Sequence, residues 1–95
     1  MKQNRKIVHR LSGILDMSAQ QLPGVPIVEL AGTKRVLIEN HRGVIEYDSS
    51  RIRISVKFGM IDVTGSGLEI CYMSRQQLII TGQIDSVQIE RGCEL

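Results

Sequence analysis

The stretch that decides the fold is residues 51–58, Arg-Ile-Arg-Ile-Ser-Val-Lys-Phe, in which polar and apolar side chains alternate without interruption. Successive side chains of an extended chain point to opposite sides, so one face carries only Ile52, Ile54, Val56 and Phe58. This period of two is typical of a half-buried strand in an antiparallel sheet. We therefore expect Ile54, in the middle of the apolar face, to be buried in the core.

Shorter segments of the same kind lie on both sides of this strand. Before it, strands are predicted at residues 27–30, 35–40 and 44–47, with residues 41–43 as a tight connection that contains Gly43. After it, turns are predicted at residues 59, 65–67, 74–76 and 82. The side chains expected to face inward after the first turn are Ile61, Val63, Leu68, Ile70, Tyr72, Leu78, Ile80, Val87 and Ile89. Polar neighbours such as Asp62 are expected to face outward.

The predicted fold class is mainly β, with about eight short strands whose close spacing suits a small β roll or barrel, or a two-sheet sandwich. No connection is long enough for a crossover helix, so the sheet should be antiparallel. A short β-solenoid is a third arrangement, since residues 61–65 (Ile-Asp-Val-Thr-Gly) are similar to residues 78–82 (Leu-Ile-Ile-Thr-Gly). Two copies are few for a solenoid, which needs several stacked repeats.

The first 22 residues have a different pattern, and we divide the chain into a helical arm (1–22) and a β domain (23–95). The apolar side chains at three- and four-residue steps, which predict an amphipathic helix over residues 4–21, are Ile7, Leu11, Ile14, Leu15 and Ala19. Pro23 ends this helix. The arm is basic, with Lys2, Arg5, Lys6 and Arg10 and no acidic residue before Asp16.

Length and composition exclude several classes of protein. A chain of 95 residues with 42% hydrophobic residues folds as one small unit and is too short for a two-domain enzyme. Its net charge of +2 is too small to indicate nucleic-acid binding by itself. Cys71 and Cys93 have no metal-ligand spacing and are interpreted as independent thiols. No secretion signal or membrane-spanning run is present, so we expect a cytoplasmic protein.

The densest polar cluster is residues 39–42, Glu-Asn-His-Arg, at the end of a predicted strand. It is either a contact surface with Arg42 at its exposed tip, or a set of turn residues in which Asn40 and His41 hydrogen-bond the backbone. His41 lacks a recognisable nucleophile partner, and His9, His41 and the two cysteines lack metal-ligand spacing. We therefore expect no enzymatic activity, no metal and no cofactor.

A second polar group is the basic stripe Arg51, Arg53 and Lys57 on the outer face of the central strand. The simpler interpretation is a solvated face, as half-buried strands show. The alternative is a groove for RNA in a small β-barrel protein, although the aromatic residues that stack bases are missing.

Residues 38–47, Ile-Glu-Asn-His-Arg-Gly-Val-Ile-Glu-Tyr, followed by Arg-Ile-Arg-Ile at 51–54, resemble the signature of the YabP/YqfC family of sporulation proteins. Residues 81–89, Thr-Gly-Gln-Ile-Asp-Ser-Val-Gln-Ile, fit the same family, and the basic arm is like that of its YqfC branch. The resemblance covers roughly residues 22–90.

The resemblance implies a role in endospore formation without enzymatic activity. It implies action in the mother cell, near the outer membrane of the forespore or the spore coat, and coat assembly is a process linked to the family. It also implies other sporulation proteins as partners, including a YqfD-like membrane protein, and peripheral membrane association. The binding residues we predict are Glu39, Asn40, His41 and Arg42, together with Arg5, Lys6 and Arg10 of the arm. Because small sheets have exposed edges, we also expect a homo-oligomer.

Overall fold

Residues 24–92, the part of the chain that this computed structural model describes, form six β-strands. These are β1 (Ile27–Ala31), β2 (Arg35–Glu39), β3 (His41–Asp48), β4 (Arg51–Val56), β5 (Gly59–Met73) and β6 (Gln77–Arg91). Every neighbouring pair is antiparallel, and the order across the sheet is β1-β2-β6-β5-β4-β3. The mainly β class and the antiparallel pairing are confirmed. The helix predicted over residues 4–21, and with it the boundary at residue 22, lies outside the described residues.

Six strands replace the eight expected, because residues 65–67 and 82 are not turns. β5 and β6 each continue through these glycine-containing positions and form one long hairpin of two 15-residue strands. The similar segments at residues 61–65 and 78–82 therefore lie on antiparallel neighbours, which rules out the solenoid arrangement.

The long hairpin bends because its register shifts three times. Shifts fall between Thr64 and Gly65, between Ser66 and Glu69, and between Ile70 and Tyr72. Each such bulge places an extra residue on one strand and increases the local twist and bend. The bend separates two portions of the sheet. One contains β1, β2 and the adjoining parts of β5 and β6 near their connecting turn; the other contains β3, β4 and the remaining parts of β5 and β6.

The two short hairpins bind the backbone groups that the bend leaves outside the regular ladder. The N–H groups of Gly65 and Leu68 in β5 donate to the carbonyl oxygens of Ser50 (3.1 Å) and Ser49 (2.9 Å) in the β3–β4 turn. In β6, Ile84 N–H donates to the carbonyl oxygen of Thr33 in the β1–β2 turn, at 2.7 Å. Buried backbone groups need such partners, so each hairpin turn stabilises the bent strand beside it.

The bend folds the sheet on itself around a single core. Its buried residues are Val36, Ile38, Ile52, Ile54, Val56, Ile61, Val63, Leu68, Leu78, Ile80 and Ile84. They form one cluster although β2 and β4 are not neighbours in the sheet, which requires the two portions to pack face to face. Ile54 is fully buried, as predicted from its place in the alternating stretch.

Several predictions of which side chains point into the core were wrong, because turns or bulges interrupt the alternation there. β4 ends at Val56, and Phe58 lies in the following turn with φ of 71° and 65% of its surface exposed. Tyr72 follows a bulge in β5 and is exposed, and Ile89 near the end of β6 is 70% exposed. Residues 41–43 are not a connection but the start of β3, and Gly43 has the positive φ expected of it, at a bulge.

Candidate functional site

The polar cluster at residues 39–42 lies where the chain passes from β2 to β3, and Asn40 is the single residue between the two strands. Asn40 has φ of 65°, a left-handed conformation that asparagine tolerates better than most residues. Its backbone N–H donates to the carbonyl oxygen of Gln76 at 2.6 Å, and its side-chain Nδ2 donates to that of Val25 at 2.8 Å. Asn40 therefore ties the strand crossing to the β5–β6 turn and to the segment before β1.

His41 makes a second connection to the same turn. Its side chain is buried, its Nδ1 accepts a hydrogen bond from Gly43 N–H at 3.0 Å, and its Nε2 lies 2.8 Å from the carbonyl oxygen of Ser74. Since a carbonyl oxygen only accepts, these partners assign the tautomer with hydrogen on Nε2. Both ring nitrogens are occupied by backbone groups, so in this state neither is free to act as a base or a ligand.

Glu39 and Arg42 stand at the rim of this junction. Glu39 Oε2 accepts a hydrogen bond from Gln77 Nε2 at 3.2 Å, whereas the side chain of Arg42 is exposed. An open polar depression of about 500 Å³ lies beside Glu39. It is lined by Glu39, Asn40, Tyr72, Ser74, Gln76 and Gln77. The structure thus brings Glu39, Asn40 and His41 together as a junction and leaves Arg42 exposed. The predicted arm residues Arg5, Lys6 and Arg10 lie outside the described residues.

Two residues of the basic stripe, Arg51 and Arg53 on β4, are engaged by carboxylates. Arg51 forms a two-point contact with Asp62, with Nη2 to Oδ2 at 2.6 Å and Nε to Oδ1 at 3.0 Å. Arg53 lies between two acids, with Nη2 3.5 Å from Glu90 Oε1 and Nη1 3.7 Å from Glu46 Oε1. Arg51 and Arg53 therefore belong to an ion-pair network, whereas Lys57, the third residue of the stripe, lies in the turn after β4.

Asp62 is buried in this network, which corrects the prediction that it faces water. The hydrogen bonds from the Arg51 side chain lower the pKa of Asp62 below its ordinary value of 3.8, against the opposing effect of burial, and the charges of Arg51 and Arg53 add to the lowering. The opposite charges are visible in the sequence, but their pairing can be recognised only from the strand register, in which Arg53 and Asp62 are cross-strand partners in β4 and β5.

Within residues 24–92, no group of three or more His, Cys, Asp or Glu side chains is placed to hold a metal ion. Cys71 is an exposed free thiol in β5, and Cys93 lies beyond the described range. None of the described segments is a helix long and apolar enough to cross a bilayer.

The surface also has an apolar site that the sequence did not indicate. We call it the corner groove: a cavity of about 130 Å³ between β1 and the end of β6. It is lined by Pro26, Val28, Val56, Lys57, Phe58, Gly59, Ile61, Ile89, Glu90 and Arg91. Phe58 and Ile89, which were expected to face the core, are instead its most exposed apolar side chains.

A first prediction distinguishes the structural from the surface residues of the junction. His41→Ala leaves Gly43 N–H and the Ser74 carbonyl without their partner, which costs about 1–3 kcal/mol for each group that stays buried and unpaired. Arg42→Ala, the matched control, changes the free energy of unfolding by less than about 0.5 kcal/mol, as is usual for exposed residues. Urea unfolding of both variants measures the difference. Equal losses in the two variants would show that His41 does not stabilise the junction.

A second prediction follows from the pKa of Asp62. Because this pKa is lowered on folding, the ionised carboxylate stabilises the protein above the unfolded value near 3.8, and this stabilisation is lost as pH falls through the folded value. We expect Asp62→Asn to be less stable than the wild type at neutral pH, with the gap narrowing below about pH 4. Urea unfolding across this range measures the gap. The pKa of Asp48 is also lowered, mainly by hydrogen bonds from Ser50, but Asp48 titrates in both proteins and its effect cancels. A gap that does not change with pH would contradict the proposed ion pair.

Comparison with known proteins gives the chain a family. A curated relative, "Uncharacterized protein YqfC" of Bacillus subtilis (strain 168), is 24% identical over 78 residues, which cover 82% of this chain and 84% of the relative. No solved structure matches. The model of the YabP family matches residues 25–93, which span the whole described sheet and the polar junction. The chain therefore belongs to the YabP family, as the resemblance of residues 38–47 indicated.

Proposed function

We propose that this protein is a non-enzymatic assembly factor of endospore formation that acts by binding other proteins. Its membership of the YabP family and its similarity to YqfC support the link to sporulation. We propose the mother cell as its compartment, at the outer membrane of the forespore or the spore coat. Other sporulation proteins, including a YqfD-like membrane protein, are the partners, and they hold the protein peripherally at that membrane.

The observation that carries a binding role is the number of large apolar side chains on the surface of so small a sheet. More than half-exposed are Leu30, Ile45, Tyr47, Phe58, Met73 and Ile89, and Tyr72 is half-exposed. They lie on the edge strands β1 and β3, in the β4–β5 turn, and toward the ends of the long strands β5 and β6. Exposed apolar groups at unpaired sheet edges favour contact with another protein or with a second copy.

The predicted contact residues contribute unequally to such a surface. Asn40 and His41 are occupied by bonds within the protein. We therefore assign direct contact to the exposed Arg42 and to the half-exposed Tyr72, which lines the polar depression. The basic residues Arg5, Lys6 and Arg10 are a second proposed contact, suited to an acidic protein surface or to anionic lipid, where each cation adds about 1 kcal/mol.

The rival hypothesis of RNA binding lacks a supporting observation. It was motivated by the stripe of Arg51, Arg53 and Lys57. Two of these three side chains, Arg51 and Arg53, pair with Asp62, Glu46 and Glu90. A phosphate backbone would have to compete with those carboxylates. We therefore do not propose it as a second function.

A genetic test follows from this assignment. In a spore-forming host that lacks the gene, the wild type should restore heat-resistant spores. The double variant Tyr72→Ser/Met73→Ser should restore fewer, because it removes exposed contact area without touching the core. Ile70→Val, a conservative change at a partly buried position of the same strand, is the matched control and should restore spores as the wild type does.

A second experiment captures the tagged wild type and the double variant from mother cells after chemical cross-linking. It shows whether the variant loses a protein partner that the wild type binds. Loss of both spores and partner, at unchanged protein level, supports the proposal. Full restoration by the double variant would contradict the assigned surface. Normal spore formation by the strain that lacks the gene would contradict the role in sporulation.

A further inference from the structure

We propose that the corner groove is the docking site for one apolar side chain of this chain's own N-terminal segment, residues 7–15. The inference goes beyond the proposed function, because it concerns a contact within the protein rather than with its partners. It rests on the groove's chemistry, on where the described chain begins, and on the sequence of the residues that precede it.

The groove has the features of a site that receives an apolar side chain. Its lining combines buried apolar side chains (Val56, Ile61) with exposed ones (Phe58, Ile89), and it also contains charges of both signs in Lys57, Glu90 and Arg91. A volume of about 130 Å³ accommodates roughly one large apolar side chain. An amphipathic helix binds such an apolar groove through its own apolar face.

Phe58 is hard to explain without an occupant. It lies in a two-residue turn between β4 and β5, with a positive φ that disfavours bulky side chains, and 65% of its surface is exposed. Glycine or asparagine would fit the backbone of such a turn better than phenylalanine does. Lys57 Nζ lies 5.2 Å from the centre of the Phe58 ring, which holds the ring at the edge of the groove.

The start of the described chain is at the groove itself. A Cβ atom placed on Gly24 would lie 3.7 Å from Lys57 Cδ, and Pro26, two residues further on, lines the groove. Residues 1–23 therefore precede a point at the groove's rim. Leu15 is nine residues before Gly24, a connection that spans at most about 30 Å even when extended.

So short a connection favours the chain's own segment over any competing occupant. A tethered segment experiences an effective concentration on the order of millimolar. Ile7, Leu11 and Leu15 recur at four-residue steps, so in a helix they share one face, from which one side chain enters the groove. Arg10 lies off that face, and docking leaves it available for the contacts proposed above.

Disulfide trapping in the full chain tests the contact. With Cys71→Ser and Cys93→Ser as background, Leu11→Cys is combined with Ile89→Cys, and mild oxidation is followed by thiol counting and non-reducing electrophoresis. We expect a disulfide within one chain, formed about tenfold faster than in two matched controls. The first control, Arg10→Cys with Ile89→Cys, moves one cysteine off the apolar face of the segment. The second control, Leu11→Cys with Tyr72→Cys, moves the other cysteine away from the groove. Disulfide-linked dimers, or equal rates in all three pairs, would overturn the proposal.

Protease protection gives a second measurement that needs no cysteine. Docking should slow trypsin cleavage after Arg10. Ile89→Asp should raise the cleavage rate about tenfold over that of the wild type, which corresponds to a docking free energy weakened by about 1.4 kcal/mol. Ile89 is exposed in the sheet, so this variant keeps the core intact. Tyr72→Asp is the control and should leave the cleavage rate unchanged. Rapid cleavage in the wild type, at the rate of Ile89→Asp, would refute the docked segment.

Discussion

The close approach of the β5 and β6 backbones at their shared bend is the constraint on which the rest of the structure depends. A Cβ atom on Gly65 would overlap the carbonyl oxygen of Gln83, and one on Gly82 would lie 2.6 Å from that of Gly67. Only glycine allows this contact, and without it the two long strands could not bend where they do. The bend brings two portions of one sheet face to face, and the small Ile, Val and Leu core exists only in that arrangement. The β1–β2 and β3–β4 turns then find their hydrogen-bond partners on the bent strands.

The polar junction at Asn40 and His41 depends on the same geometry. The pairing of β2 with β6, in which Glu39 lies opposite Gln77, puts the crossing from β2 to β3 next to the β5–β6 turn, and folding of the sheet lets a single residue make that crossing. Asn40 and His41 bind the carbonyl oxygens of Val25 and Ser74. Residues 39–42, whose sequence suggests a binding site, therefore connect three segments: the β2–β3 crossing, the β5–β6 turn and the segment before β1. The exposed groups that remain, Arg42 and the apolar side chains at the edges, are where binding is to be sought.

The period-two alternation of residues 51–56 predicted β4, its buried face and the antiparallel sheet, because alternation is a local property of an extended chain. The sequence did not predict that Gly65, Gly67 and Gly82 lie within strands, since a glycine at a bulge and a glycine in a turn look alike. Each bulge also changes which side chains face inward, as at Tyr72. The burial of Asp62 depends on Arg51 across the strand pair, which only the register reveals.

The most direct measurement of the central claim compares alanine at two neighbouring glycines of the bend. Gly67 has φ of 60° with open space around it, so Gly67→Ala costs only the left-handed strain of about 1–2 kcal/mol. Gly65→Ala forces a methyl group against the backbone of β6, and overpacking without room to relax costs about 3 kcal/mol or more. Urea unfolding of the two variants decides between the possibilities. A clearly larger loss at Gly65 is the result this account predicts, and an equal or smaller loss there would contradict it.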